Sequence, residues 1–251
     1  MNYLLAALFT FATSGAMASD VPANCTGCSF AGRDPRGADL ANVEYAGVNL
    51  SHANLRDADM RGARLAGVDF YAADLRGADF SKAKLAGVDL HRAQLSGAIF
   101  TGATLAGVNL RDVFNGLRDI DARGLLHKCA GCDARGAVIA RLDLSGVSIV
   151  GGDFREARAQ RVRLSGAELE GADFAQADLR GADLRYAKLC SRNADDLRVQ
   201  CIDLRGANVR RADFRGALLC QNDREPRNCM PVDAATLREG SRSRLAGAIL
   251  P

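Results

Sequence analysis

From Leu40 to Leu110 every fifth residue is large and apolar, fifteen positions in all, and two places before each of them stands Ala or Val. Gly recurs two places after the large residue, at Gly47, Gly62, Gly67, Gly77, Gly87, Gly97, Gly102 and Gly107. A period of five matches neither the 3.6 of a helix nor the 2.0 of a strand, so neither element could hold these side chains on one face over such a length. The chain must turn every five residues. The large residue and the small one two places earlier share one orientation on a short extended stretch, and Gly permits the positive φ that many turns require.

A longer period sets the number of sides. Leu65-Ala66-Gly67-Val68-Asp69-Phe70, Leu85-Ala86-Gly87-Val88-Asp89-Leu90 and Leu105-Ala106-Gly107-Val108-Asn109-Leu110 recur every 20 residues. Four sides therefore make one turn of a square solenoid, with neighbouring coils about 4.8 Å apart. Val48, Val68, Val88 and Val108 are expected to stack inside one wall, and the interior to be full.

The units Gly77-Ala78-Asp79-Phe80-Ser81 and Gly181-Ala182-Asp183-Leu184-Arg185 resemble those of the pentapeptide repeat family. The resemblance covers nearly all of Cys25 to Leu219 apart from one insertion. It implies an all-β solenoid, a right-handed quadrilateral β-helix. Here it is read as two stacked or adjoining modules with short helical caps.

The five-beat fails between Arg111 and Lys128 and resumes in another register at Ile139, Leu144, Ile149 and Phe154. Val113, Leu117 and Ile120 in the gap have the spacing of a short amphipathic helix, expected to cap one solenoid and lead into the next. Residues 4–12 form an apolar run followed by Ala16-Met17-Ala18, the pattern of a cleaved signal peptide. The division expected is a signal peptide over 1–18, a first solenoid over 19–110, a helical linker or cap over 111–128, a second solenoid over 129–220 and a C-terminal cap over 221–251. Asp233 to Glu239 reads as a capped helix start. The address expected is periplasmic or secreted, with no membrane span.

An exported chain lets cysteines pair. Cys25 and Cys28 share the columns of Tyr45 and Val48, and Cys129 and Cys132 hold the equivalent places in the second register, so both thiols of each pair are expected to point inward. The lead-in Gly124-Leu125-Leu126-His127-Lys128 resembles segments before Cys-x-Gly-Cys openings in some family members. A disulfide within each pair and burial as free thiols are both open. A shared Cys₄ zinc site is opposed by a separation of about 20 Å, and a thioredoxin-like site by the lack of a βαβ unit. Arg192 would fall in the small inward slot, so the chain should bulge there, with Cys190 and Cys201 at the base of the excursion. Cys220 and Cys229 bracket the exit from the repeats. All eight are candidate disulfide residues.

Composition alters this picture little. Lys+Arg 33 against Asp+Glu 30 gives a net charge of +3, too balanced to name a partner. His52, His91 and His127 lie outside the inward slots with no local partner pattern, and the Asp residues repeat before the large residue in an outward slot suited to corner hydrogen bonding. No catalytic, cofactor or metal residues are assigned, and no cofactor is expected. Arg36, Arg56 and Arg76 should form a ladder offset by Asp57 and Asp59. Arg155, Arg158, Arg161 and Arg163 crowd a short stretch opposed only by Glu156 and form the candidate binding surface for an acidic partner. The reading is a non-enzymatic exported scaffold that binds a protein or its own copy as a homodimer. A small-molecule substrate and nucleic acid are not expected. The resemblance also implies an alternative, a DNA-mimicking modulator of gyrase, which would need an acidic face and a cytoplasmic address. A thiol redox enzyme ranks third.

Overall fold

The computed structural model describes residues 22–115, 122–192, 199–221, 229–240 and 248–250. The five-beat is realised as a four-walled coil. Strands β1 (Asn24–Thr26), β2 (Glu44–Ala46), β3 (Arg64–Ala66), β4 (Lys84–Ala86) and β5 (Thr104–Ala106) are followed by helix α1 (Ala122–Leu125) and strand β6 (Cys129–Ala130). The six strands form one parallel sheet in chain order. Its central residues stack as Cys25, Tyr45, Leu65, Leu85, Leu105 and Cys129. A second wall carries the ladder Asn49, Asp69, Asp89, Asn109, Asp133, Asp153, Asp173, Asp203.

Each coil is held to the next by main-chain bonds from both sides of the pleat. The Leu50 amide donates to the Asp69 carbonyl at 2.7 Å, and the Asp69 amide donates back to Val48 at 2.9 Å. Within a coil, Ala53 N–H donates to Leu50 C=O at 3.1 Å across a turn whose third residue, His52, has φ 57. That is the signature of a type II turn. Gly is not obligatory at such corners: Asn42, Asp57, Ala72 and Arg161 also adopt positive φ. Where side chains overlie the next corner, Gly makes room, as Gly77 does above Asp57 and Gly216 above Tyr186.

The inward slots are filled. Phe70, Phe80, Phe100, Phe154, Phe174 and Phe214 are fully buried. Phe80 stacks on Phe100 with ring centroids 4.9 Å apart, and Phe154 on Phe174 at 5.1 Å. Val48, Val68, Val88 and Val108 are all buried, as the 20-residue period requires. Burial pushes the Tyr45 phenol up to about 12, and its hydroxyl donates to the Pro22 carbonyl at 2.8 Å.

The gap in the five-beat differs from expectation. Leu105 pairs with Cys129 and Asn109 with Asp133, so two walls pass through the insertion without a break. Among the described residues, the other two walls stop at Gln94 and Ile99 and resume at Val138 and Asp143. The pairing of Leu105 with Cys129 and of Asn109 with Asp133 therefore makes the described residues on either side of segment 111–128 parts of one stack of coils, and Val113, Phe114, Leu125 and Leu126 pack into its core. Val113 and Phe114 are buried here, residues 111–114 form turns, and among the described residues of this segment a helix lies at Ala122–Leu125. Leu117 and Ile120 lie outside the described residues, as does the expected signal peptide.

A second excursion is a hairpin. Strand β7 (Lys188–Arg192) turns back as β8 (Val199–Cys201), antiparallel, and β9 (Leu218–Gln221) turns back as β10 (Cys229–Pro231). The four form one sheet in the order β10, β9, β7, β8. Beyond this hairpin Asp173 pairs with Asp203, Asp178 with Asn208 and Asp183 with Asp213, so its ten extra residues, two units of five, keep the register. Helix α2 (Ala234–Gly240) is capped by Asp233, whose Oδ1 accepts the Thr236 amide at 2.7 Å. It buries Leu237, and Ile249 returns to bond Phe214 and Ala212, covering the last coil.

Candidate functional site

With the inward slots filled, the chemistry lies on the outside. The residue before each large apolar one carries the repeated carboxylates, whose Oδ1 accepts the amide two places on: Tyr71 to Asp69 at 2.8 Å, His91 to Asp89 at 2.8 Å, Arg205 to Asp203 at 2.9 Å. When that second residue is Arg, its guanidinium folds back on the same carboxylate. Arg135 meets Asp133, Arg155 meets Asp153 and Arg215 meets Asp213, each at 2.6 Å. The ladder also reaches between coils, from Arg135 to Asp153 at 3.5 Å and from Arg155 to Asp173 at 3.7 Å. Hydrogen bonds from Arg180, Arg185 and Arg215 hold the carboxyls of Asp178, Asp183 and Asp213 below their usual range, against the opposing effect of burial.

The expected Arg ladder of the early coils is offset by other acids than foreseen. Arg36 pairs with Asp34 at 2.8 Å and Arg76 with Asp74 at 2.5 Å, whereas Asp59 is occupied by Arg61. The physical reason is the corner: a carboxylate two places before an Arg is fixed by the turn, while Asp57 is itself a corner residue with φ 58.

The four candidate surface arginines do not form one patch. Arg155 stands in the ion-paired ladder. Arg158 lies on the wall of Val138 and Asp178, and Arg163 on the wall of Asp143 and Asp183, where it meets Asp143 at 3.4 Å. Arg161 takes the corner between them with φ 57. Five consecutive residues make one side, so neighbours in sequence wrap around the tower, and neighbours in space come from successive coils.

At Arg161 those neighbours are also basic. Matching of Arg158 to Asp178 to Asn208 and of Arg163 to Asp183 to Asp213 sets Arg161, Gly181 and Arg211 in one corner column, with Gln160, Arg180 and Arg210 beside it. They line a notch of 510 Å³. Asp178 is engaged by Arg180 and Gln160, each at 2.6 Å. Another corner gathers two of the three histidines. The Tyr71 ring lies 5.4 Å from those of His52 and His91, His91 Nε2 meets Asp112 at 3.1 Å, and Arg92 donates to the Tyr71 hydroxyl at 3.1 Å. This column comes from four coils, which is why no local motif disclosed it.

The cysteines meet in four pairs. Cys25 joins Cys28 with Cα atoms 6.0 Å apart, and Cys129 joins Cys132 at 5.7 Å. Cys190 faces Cys201 across β7 and β8, and Cys220 faces Cys229 across β9 and β10. The first two pairs share one corner with four strands between them, about 24 Å at the strand spacing. No group of three or more metal-ligating side chains occurs among the described residues, and no helix among them is long and apolar enough to cross a membrane.

A solenoid of four walls, stepping every five residues and coiling every 20, defines a quadrilateral β-helix. The sequence profile described as Pentapeptide repeats matches eight copies in this chain, over residues 36–71, 46–81, 73–112 and 160–191. The chain belongs to the pentapeptide repeat family. Among solved structures, a pentapeptide repeat protein of the Arabidopsis thaliana thylakoid lumen is 35% identical, covering 44% of this chain and 79% of its own, with a TM-score of 0.32. HetL of the cyanobacterium Nostoc, involved in heterocyst differentiation regulation, is 27% identical over 91% of this chain and 87% of its own, with a TM-score of 0.47. QnrB1, a plasmid-mediated fluoroquinolone resistance protein, is 19% identical over 74% of this chain and 89% of its own, with a TM-score of 0.36. No curated protein matches.

Proposed function

We propose that this chain is an exported, non-enzymatic scaffold whose outer walls bind another macromolecule. The observation that carries this reading is the division of labour between inside and outside. The inward slots are spent on packing, and the outward ones hold charge ladders that repeat from coil to coil instead of converging on one reacting centre. Four cysteine pairs support an oxidising compartment. A gyrase-directed DNA mimic needs an uncompensated acidic face, and the carboxylates of Asp133, Asp153 and Asp213 each carry an Arg.

The test has two arms. Mass measurement after thiol trapping of protein recovered from the periplasm should find all eight cysteines oxidised; recovery from the cytoplasm with free thiols would refute the address. For binding, immobilised wild type is compared with an Arg135→Glu/Arg155→Glu/Arg205→Glu variant against envelope proteins. A partner retained by the first and lost by the second is expected. If wild type retains nothing and sediments as a monomer, the scaffold reading is wrong.

A further inference from the structure

Two independent features combine at the corner of Gly181. The first is shape. Arg161 and Arg211 project from the same corner column on either side of Gly181, which has φ 67 and no side chain, so the column is indented between two long side chains. The second is charge. The arginines of the ladders fold onto the carboxylate two places earlier, as Arg180 does onto Asp178. Arg161, Arg210 and Arg211 have no acidic residue two places before them: those positions are Ala159, Asn208 and Val209. Asn208 offers only a neutral oxygen, which accepts the Arg210 amide at 3.3 Å. Among the described residues none of these three guanidiniums has an ion-pair partner, and all three are exposed. The carboxylates on the walls flanking the notch are already engaged: Asp178 has Arg180 and Gln160 on it, Asp183 has Arg185 and Asp213 has Arg215.

We propose that the Gly181 notch binds a phosphate-class oxyanion. Guanidinium forks match tetrahedral oxyanions through paired N–H donors, and here three of them border an indentation of 510 Å³ with their donors uncommitted. Arg161 and Arg211 stand two coils apart, about 10 Å at the strand spacing, which suits one or two phosphoryl groups. The Gln160 amide and the Arg180 guanidinium are held at the notch wall by Asp178 and add donors there. This site is separate from the macromolecular reading above. It would stand if no protein partner were found, and it could fail while that reading survived.

The test is calorimetric titration of the full chain with pyrophosphate, at low and at raised ionic strength. Wild type is compared with Gly181→Asp, with Arg161→Gln/Arg211→Gln, and with Arg56→Gln, which removes an exposed arginine near the other end of the tower. Asp suits the Gly181 backbone, since Asp57 and Asp112 hold the same corner conformation at φ 58 and 61, and a Cβ there would stand 3.5 Å from Arg161 Cγ, an ordinary contact. One saturable site per chain is expected, weakened by salt, weakened about tenfold or more in each notch variant and unchanged in Arg56→Gln. If Gly181→Asp does not fold, the Gln pair carries the comparison. Co-sedimentation with phosphatidylcholine vesicles containing phosphatidic acid assigns the source: binding to them as well indicates a phosphomonoester end group, and pyrophosphate binding alone a free solute, either of which supports the site. Absence of saturable pyrophosphate binding, wild-type affinity retained in both notch variants, or equal loss in Arg56→Gln would overturn the proposal.

Discussion

At the scale of single residues, position within the five-beat decides cost. Phe174 is fully buried and stacked on Phe154, so Phe174→Ala removes both its transfer free energy and the packing around it. A loss of about 3–5 kcal/mol is expected in chemical denaturation. Arg76→Ala breaks an ion pair whose Arg side chain is 41% exposed, and should leave the denaturation midpoint nearly unchanged. The reverse order would mean that the inward and outward slots are misassigned. Acid response also divides by position. Asp178, Asp183 and Asp213 have carboxyls lowered from 3.8 by hydrogen bonds from Arg, so their stabilisation is complete above that value and is lost as pH falls through the depressed folded values. Glu170 has the opposite sign. Its Oε2 is buried without a hydrogen-bond partner among the described residues, and burial raises its carboxyl above 4.5, so its penalty appears as pH rises through the folded value. Glu170→Gln should therefore raise the melting temperature at neutral pH and lose that advantage in acid. A melting curve at pH 7 unchanged or lowered by the substitution would contradict this.

At the scale of elements, the hairpin β7–β8 shows how an irregular unit is accommodated. Arg192 would occupy a small inward slot in an uninterrupted repeat; instead the chain leaves the wall there, and the Arg192 Nε is nevertheless buried without a hydrogen-bond partner among the described residues. The cross-strand pair Cys190–Cys201 closes the base of the excursion. Cys190→Ser/Cys201→Ser should cost about 3 kcal/mol from loop closure, seen first as faster amide exchange in β7 and β8 and only later in β3 and β4. Equal loosening throughout would show that the hairpin is not an added element. The repeating part of this architecture was legible because a five-residue period leaves one way to keep large residues together. The bulge at Arg192 was legible for a related reason, since a charge in an inward slot is an evident conflict. The basic notch and the His52, Tyr71, His91 column were not, because they unite residues from successive coils. Placing Arg211 beside Arg161 requires knowing that the hairpin adds ten residues in register.

At the scale of the whole molecule, the insertion after Leu110 is the decisive place. The change of register between its two sides reads in sequence as a boundary between modules. It arises because the coil containing 111–128 is four residues longer than 20, as the pairing of Leu105 with Cys129 shows. Local periodicity cannot distinguish a lengthened coil from a break, since both shift the beat; only the hydrogen bonds across it can. Those bonds make Cys129–Cys132 an internal corner of the tower instead of the opening of a second one. A continuous tower also keeps two walls uninterrupted, and one of them carries the Arg135–Asp133, Arg155–Asp153 and Arg205–Asp203 ion pairs beyond the insertion.

Residue-resolved amide hydrogen exchange across the insertion tests this continuity most directly. The amides of Leu105, Gly107 and Leu110 donate to Lys128, Ala130 and Asp133 at 2.8, 2.9 and 2.7 Å, acceptors at the far end of the insertion or beyond it. Their protection should equal, within about tenfold, that of Gly67 and Phe70 in the unbroken coils. Exchange of these three amides at the rate of an exposed solenoid end, with Gly67 and Phe70 still protected, would show two separate towers and contradict the account.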